Sequence, residues 1–306
     1  MILLLTGAFN RSSEQLAELE QLGFEVHFAR DERVDIKSQI GIDIASVQAV
    51  VCNGLFLHND IGEFKSLKFI QLVSAGFDRI DMDYCKAHGI EVCNAKGVYS
   101  IPMAEWVVLR VLEIYKDTRF FAHNQNERRW EKKRDLPELH GKTATIVGFG
   151  DAGRETAKRL KPFGVHINAV DIHKIETDYN DESYLIDYLE TPLSQSDIVI
   201  LTLPLTDRTR HLFSDRLFDV IKRDCVLVNV SRGAVIDEQS LIRNIAKFRG
   251  VALDVFEQEP LHRDSPLWVA HNVIITPHNS FVSTGNNARM WSLTKANLQS
   301  FIGRRS

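Results

Sequence analysis

Cysteine is scarce in this chain of 306 residues. Cys52, Cys85, Cys93 and Cys225 are its four, without C-x-x-C spacing and without the density of a disulfide-stapled secreted scaffold. Reduced thiols and a cytoplasmic setting are the expectation, with no metal site. Long apolar runs are missing as well. Ile2 to Leu5 is too short for a signal-peptide core and lacks a basic flank, and no run approaches the length that spans a bilayer, so no membrane role is expected. Nor does one sign of charge dominate: 37 Lys and Arg against 41 Asp and Glu leave a net charge of −4. That balance offers no general attraction to nucleic acid or an anionic surface, so any anion must be bound locally. Proline is sparse, at 8 residues, and no Gly/Ser-rich or Pro-rich stretch marks a linker.

What is there suits a globular protein of two domains: 44% apolar and 25% charged residues in a chain long for one core. Short apolar runs alternate with amphipathic stretches, the pattern of βα units and parallel sheets. In the first half the runs are Ile2 to Leu5, Val26 to Ala29, Ala49 to Cys52, Phe69 to Val73 and Ile90 to Cys93. Ser12-Ser-Glu-Gln15 reads as a capping box before Leu16, Leu19 and Leu22, with Gly23 as the stop. The second half has runs at Thr143 to Val147, Val165 to Val170, Ile198 to Leu201, Val226 to Val230, Val251 to Leu253 and Val273 to Ile275. The fold class expected is α/β with two doubly wound parallel sheets, a flavodoxin-like domain and a Rossmann domain. A long helix from Pro102 to Tyr115 places the boundary near Val98. A last helix with Met290, Trp291, Leu293, Leu298 and Phe301 has no sheet of its own to cover and is expected to return to the first domain. The division is then 1–98 plus 281–306, discontinuous, and 99–280.

Thr143-Ala-Thr-Ile-Val-Gly-Phe-Gly-Asp-Ala-Gly153 carries the strongest signal. A β-branched run enters glycines spaced G-x-G-x-x-G, and Asp171 follows a second apolar run, which fits a dinucleotide. Gly148 permits the tight turn, Gly150 lets backbone approach a pyrophosphate, and Gly153 lets a helix beginning near Arg154 pack on the strand; amides at that helix start hold the anion. Asp151 and Ala152 complete the turn, the former placing a carboxylate near the pyrophosphate. Asp171 would bind both ribose hydroxyls of an adenosine and repel a 2′-phosphate, which favours NAD over NADP, although His173 and Lys174 could accommodate a phosphate if Asp171 turned aside.

Asp171, Thr202, Ser231 with Arg232, Asp254 and His278 fall at or just past strand ends, the edge at which open parallel sheets bind ligands. Arg232, in Val228-Asn-Val-Ser-Arg-Gly233, offers a planar fork matched to an α-keto carboxylate. His278 follows Ile274-Ile-Thr-Pro277 and titrates in the physiological range, as a proton donor to a ketone must. Glu259 could bond the imidazole and favour its protonated form, with Glu257 as a rival. The charged stretch Lys116 to Lys142, including Glu127-Arg-Arg-Trp-Glu-Lys-Lys-Arg134, reads as a solvated or subunit-facing segment rather than a nucleic-acid patch.

Together these residues resemble the D-isomer-specific 2-hydroxyacid dehydrogenases over essentially the whole chain. The matching pieces are V-G-F-G-D-A-G with Asp171, L-P-L-T-D-R-T at Leu203 to Thr209, N-V-S-R-G-A-V-I-D at Asn229 to Asp237, A-L-D-V-F-E-Q-E-P-L at Ala252 to Leu261, and T-P-H at Thr276 to His278. The resemblance implies hydride transfer between NAD and a small 2-keto or D-2-hydroxy acid such as glyoxylate or hydroxypyruvate. It implies Arg232 as the group that orients substrate carboxylate and carbonyl, His278 as proton donor, and Glu259 rather than Glu257 as its partner. Backbone amides of Ser74, Ala75 and Gly76 would take the substrate carboxylate. Asp254 would contact the nicotinamide amide, with Ser100, Leu203, Thr209, Val230 and Ser231 also in the cofactor-binding set. A cleft closing over substrate and a homodimer through the dinucleotide domains are further implications. The chain departs from the family's pattern at Asn279 to Asn287, where small apolar residues are common, and at Lys96, where proline is frequent; both bear on which acid is taken. The same resemblance includes formate enzymes, against which Glu259 speaks, phosphite oxidation, and NAD-sensing regulators without turnover. Against the last stands the lack of an appended interaction tail.

Overall fold

The alternating apolar runs pair into two all-parallel sheets, each in its own compact unit. The structure is a computed structural model and describes residues 1–304. One unit comprises residues 1–99 together with the chain from Ser283 onward, and the other is Ser100–Val282.

In the first unit, β1 (Ile2–Thr6), β2 (Glu25–Ala29), β3 (Ala49–Cys52), β4 (Phe69–Leu72) and β5 (Glu91–Cys93) pair in the order β2-β1-β3-β4-β5. α1 (Ser13–Gln21) starts at Ser12, which accepts from the Gln15 amide while the Gln15 side chain returns to the Ser12 amide. α2 (Met82–Ala87) is capped by Asp81. The middle strands bury both faces. Leu4, Val50 and Ile70 fill one layer with Ile36 and Leu55, whereas Leu3, Leu5, Val51 and Phe69 fill the other with Leu19. Full burial of each such side chain contributes about 2 kcal/mol. The chain after Ser283 belongs to this second layer through Met290, Leu298 and Phe301, with the Phe301 ring 4.9 Å from that of Phe69. A polar contact sets its position: Gln71, fully buried in β4, accepts from Asn297 at 2.7 Å and donates to the Leu72 and Asn94 carbonyls.

The second unit contains β6 (Thr143–Val147), β7 (His166–Asp171), β8 (Glu182–Leu185), β9 (Ile198–Leu201), β10 (Val226–Asn229), β11 (Gly250–Leu253) and β12 (Val273–Ile275), ordered β12-β11-β10-β9-β6-β7-β8. α3 (Ser100–Tyr115) and α5 (Asp151–Leu160) cover one face, burying Val107, Val111, Ala157 and Leu160. α4 (Thr118–Asn126) lies between them in sequence. The opposite face is covered by α6 (Glu190–Gln195), α7 (Asp215–Val220) and α8 (Glu238–Asn244) through Leu193, Leu217, Phe218 and Leu241. α9 (Asn286–Gly303) is the helix that packs with the first unit.

The helix after the glycine turn begins at Asp151, three residues before the expected start. Gly150 is extended, at φ −72°, and acts as the N-cap, so Ala152 and Gly153 lie inside the first turn. β8 was not foreseen. Glu-Ser-Tyr-Leu has no apolar run to reveal it, since an edge strand needs only one paired side; here its partner is β7. No helix among the described residues is long and apolar enough to cross a membrane.

Candidate active site

In the second unit the chain proceeds outward from β6 through β7 to β8, then crosses to β9 and runs on to β12. The order therefore reverses between β6 and β9, the point at which such sheets open a ligand crevice at the carboxyl ends of their strands. The glycine turn lies there. Gly148 has φ +88°, and a Cβ on it would stand 2.6 Å from the Leu203 backbone, so the turn after β6 and the loop after β9 touch directly. A Cβ on Gly153 would stand 2.4 Å from the Gly148 carbonyl oxygen. Gly150 differs, because a Cβ there would meet nothing within 4 Å. Its backbone is open to the outside just where α5 presents first-turn amides without a side-chain cap. Asp151 and Ala152 supply two of those amides.

Asp171 ends β7 beside this turn. One carboxylate oxygen accepts from the Phe149 amide at 2.7 Å and the other from the Ile172 amide at 2.7 Å, which holds the carboxylate in place. His173 and Lys174 are exposed behind it. These residues fit an adenine dinucleotide: an open backbone cradle for the pyrophosphate, a helix N-terminus for its charge and a fixed acceptor for the ribose.

Three more groups follow three adjacent strands. Arg232 lies past β10, Glu259 past β11 and His278 past β12, with neighbouring strands about 4.8 Å apart. Asn229 shapes the first loop, accepting from the Ser231 amide and hydroxyl and donating to the Arg232 carbonyl at 3.1 Å. The Arg232 guanidinium donates to the Ser231 carbonyl at 2.8 Å. Gly233 is obligatory, since a Cβ on it would fall 1.8 Å from the Phe256 carbonyl carbon. The loop carrying Arg232 thus packs backbone to backbone on the loop carrying Glu259.

His278 Nδ1 meets Glu259 Oε2 at 2.8 Å, and Glu259 Oε1 accepts from the Phe256 amide at 3.1 Å. The imidazole leaves Nε2 for an outside partner, and the Phe281 ring meets it edge-on at 5.9 Å between centroids. Glu257 is occupied elsewhere, with His211 at 2.8 Å and the Glu238 amide at 3.1 Å. His278 has a left-handed backbone, φ +50°, and its amide donates to the Asp254 carbonyl at 2.7 Å.

The Asp254 side chain is 0% exposed. It accepts from the Thr276 hydroxyl at 2.5 Å and the Asn279 and Ser280 amides at 2.8 and 2.9 Å. These bonds tie it to the segment that carries His278. The Thr209 hydroxyl is likewise used within its own turn, donating to Pro204 and accepting from Thr206. Val230, Ser231 and Leu203 are buried around the strand ends, and Ser100 is buried at the start of α3.

In the first unit, Ser74 to Gly76 follow β4. Every carbonyl from Val73 to Gly76 is taken up within that unit: by the Tyr99 hydroxyl, the Ala95 amide, Asn94 Nδ2 at 2.5 Å and the Ser74 hydroxyl at 3.0 Å. These four bonds fix the backbone of the turn after β4.

A parallel sheet whose order reverses at a glycine turn, with a helix N-terminus and a fixed carboxylate beside it, is the architecture of a dinucleotide-binding protein. Residues 108–280 match the model of the D-isomer specific 2-hydroxyacid dehydrogenase, NAD binding domain. The chain is 35% identical over 243 residues to a glyoxylate reductase of Thermofilum pendens, covering 76% of this chain and 71% of that one. It is 34% identical over 258 residues to a hydroxypyruvate reductase of Thermotoga maritima, covering 82% and 81%. A solved D-isomer specific 2-hydroxyacid dehydrogenase family protein from Aeromonas salmonicida superposes with a TM-score of 0.83 at 27% identity, over 99% of this chain and 95% of that one. The chain belongs to the D-isomer specific 2-hydroxyacid dehydrogenase family, with NAD as the cofactor of its second unit.

Sequence reasoning missed His211 and Asn229. A lone histidine and a strand-end asparagine carry no spacing signal, and only their partners across loops show what they hold.

Proposed function

We propose that the protein reduces a small 2-keto acid, with glyoxylate and hydroxypyruvate as the leading candidates, and that Arg232, Glu259 and His278 carry the reaction. The observation that supports this most is the His278–Glu259 pair, joined through Nδ1, past the strand next but one to that of Arg232. A nicotinamide cofactor held at the Gly148–Gly153 turn and Asp171 would supply the hydride that the keto carbon takes up. His278, held by Glu259, gives its proton to the keto oxygen and takes one back in the reverse direction. Arg232 binds the carboxylate or carbonyl through its planar fork, which aligns the ketone and stabilises charge growing on oxygen. The Ser74 to Gly76 amides receive the substrate carboxylate. In this reading residues 99–280 hold NAD and residues 1–98 with 281–306 hold substrate.

NADH is the preferred reductant because the Asp171 carboxylate stands where a 2′-phosphate would bring more negative charge. The protein works in the cytoplasm, consistent with its reduced thiols, and as a homodimer through the second unit. Trp130, 98% exposed on the segment after α4, supports that surface as a subunit contact. Sedimentation as a monomer at working concentration would remove the dimer.

The deciding experiment is NADH oxidation over a panel of short 2-keto acids. Turnover of glyoxylate or hydroxypyruvate is the expected result. Tight NADH binding with no turnover of any keto acid would replace this reading with an NAD-sensing regulator, and phosphite-dependent NADH formation would replace it with phosphite oxidation.

A further inference from the structure

The loop after β11 carries two carboxylates, and each meets its own imidazole. Glu259 pairs with His278, and Glu257, two residues earlier, pairs with His211 at 2.8 Å from Nε2. The two histidines share a backbone feature that side chains rarely adopt: φ is +50° at His278 and +51° at His211. A non-glycine residue in that region costs on the order of 1 kcal/mol and persists where surrounding contacts over-determine it.

The contacts around His211 do so. Its amide donates to the Ala234 carbonyl at 2.7 Å, and two residues later the Phe213 amide donates to Val235 at 3.1 Å. The backbone of His211 is thereby fastened to the turn that follows Arg232. Its side chain reaches across to Glu257, in the loop that leads to Glu259. The same two loops press together at Gly233, where a Cβ would overlap the Phe256–Glu257 peptide, and Glu257 is further held by the Glu238 amide at the start of α8. His211 itself follows the Pro204 to Thr209 turn. One residue therefore joins the loops after β9, β10 and β11.

As an ion pair the contact contributes little, because the two side chains are 46% and 34% exposed and solvent screens them. Its geometry matters more, since the distance it fixes separates the loop of Arg232 from that of Glu259. We propose that His211 and Glu257 are positioning residues that hold the Arg232 turn in register with the Glu259–His278 pair during keto-acid reduction. This rests on the assignment of Arg232, Glu259 and His278 as the reacting set.

The test compares His211→Ala, His211→Gln and His278→Ala in steady-state NADH oxidation with glyoxylate and hydroxypyruvate as probes. NADH affinity is followed by fluorescence and Tm by circular dichroism. His211→Ala is expected to lower kcat about ten- to a hundred-fold, the loss that a misplacement near 1 Å produces, with NADH affinity within about two-fold of the parent. His211→Gln retains an N–H able to reach the same carboxylate and is expected to recover most of kcat. Unchanged kcat in folded His211→Ala overturns the proposal, and so does a glutamine variant no better than alanine. Should His211→Ala fail to fold, Glu257→Ala against Glu257→Gln makes the same comparison from the other side. If His278→Ala is impaired while His211→Ala is not, only this inference fails; if His278→Ala is itself unimpaired, the assignment beneath it fails.

Discussion

Asp254 is a carboxylate with no exposed surface, and the described contacts that satisfy it are three donors of the 276–280 segment. A buried charge is tolerated only when so bonded, and the reward is a fixed backbone on either side of His278. With His278 as proton donor, His278→Ala is expected to slow keto reduction by about two to four powers of ten while NADH affinity holds; kcat at the parent level would remove His278 from the mechanism. Arg232→Lys keeps the charge and loses the fork, so KM for the keto acid is expected to rise and kcat to fall together, as steady-state kinetics would read. Glu238 allows a prediction in pH. Burial first, and the neighbouring Glu257 charge after it, push its carboxyl above the usual glutamate range, even though the α8 N-terminus favours an anion. A raised carboxyl stabilises the fold below the ordinary glutamate range and loses that contribution as pH rises through its folded value. Glu238→Gln is therefore expected to raise Tm by about 1 to 3 °C at pH 8, a figure kept small because the group is only partly buried, and to give no gain at pH 4. A lower Tm at pH 8 would contradict the sign.

The elements divide into those that announce themselves and those that do not. β6, β9 and β10 are β-branched runs buried on both faces, so composition alone reveals them; β8, half exposed at the sheet edge, does not. The glycine turn was legible because its spacing answers to sterics, but the start of α5 was not, since Gly150 caps the helix with backbone rather than a recognisable side chain. Two of its glycines should behave oppositely. Gly153→Ala forces a methyl to 2.4 Å from the Gly148 carbonyl oxygen and is expected to cost about 1 to 3 kcal/mol of stability. Gly150→Ala meets open space, so Tm should stay near the parent while NADH affinity falls at least about ten-fold, the methyl standing where pyrophosphate approaches. Calorimetric binding with unchanged affinity in Gly150→Ala would move the cofactor away from this turn.

At the scale of the whole molecule there are two sheets, each with apolar layers on both faces, which makes each unit a candidate cooperative block. Scanning calorimetry is expected to resolve two transitions, of which NADH shifts one. At a hundred times Kd the shift corresponds to about 2.7 kcal/mol. Thiols identify the blocks: Cys52 and Cys85 are buried in the first unit and Cys225 in the second, where burial pushes the thiol up to about 12. The NADH-shifted transition should be the one that releases Cys225 to a thiol reagent. Release of Cys52 or Cys85 in that transition instead would place the cofactor in the other unit.

The sequence by itself determined the α/β class, the dinucleotide turn with its acid, and the candidates Arg232, Glu259 and His278, because strand burial, glycine sterics and strand-end polarity leave local patterns. Only the tertiary structure decided that Glu257 belongs to His211 and that Asp254 is committed to the loop of His278. It also decided that Gly233 presses the loop of Arg232 on that of Glu259. Those choices depend on the order β12-β11-β10-β9-β6. Residues far apart in the chain become neighbours through that order, and no spacing along the chain encodes which acceptor a side chain then reaches first.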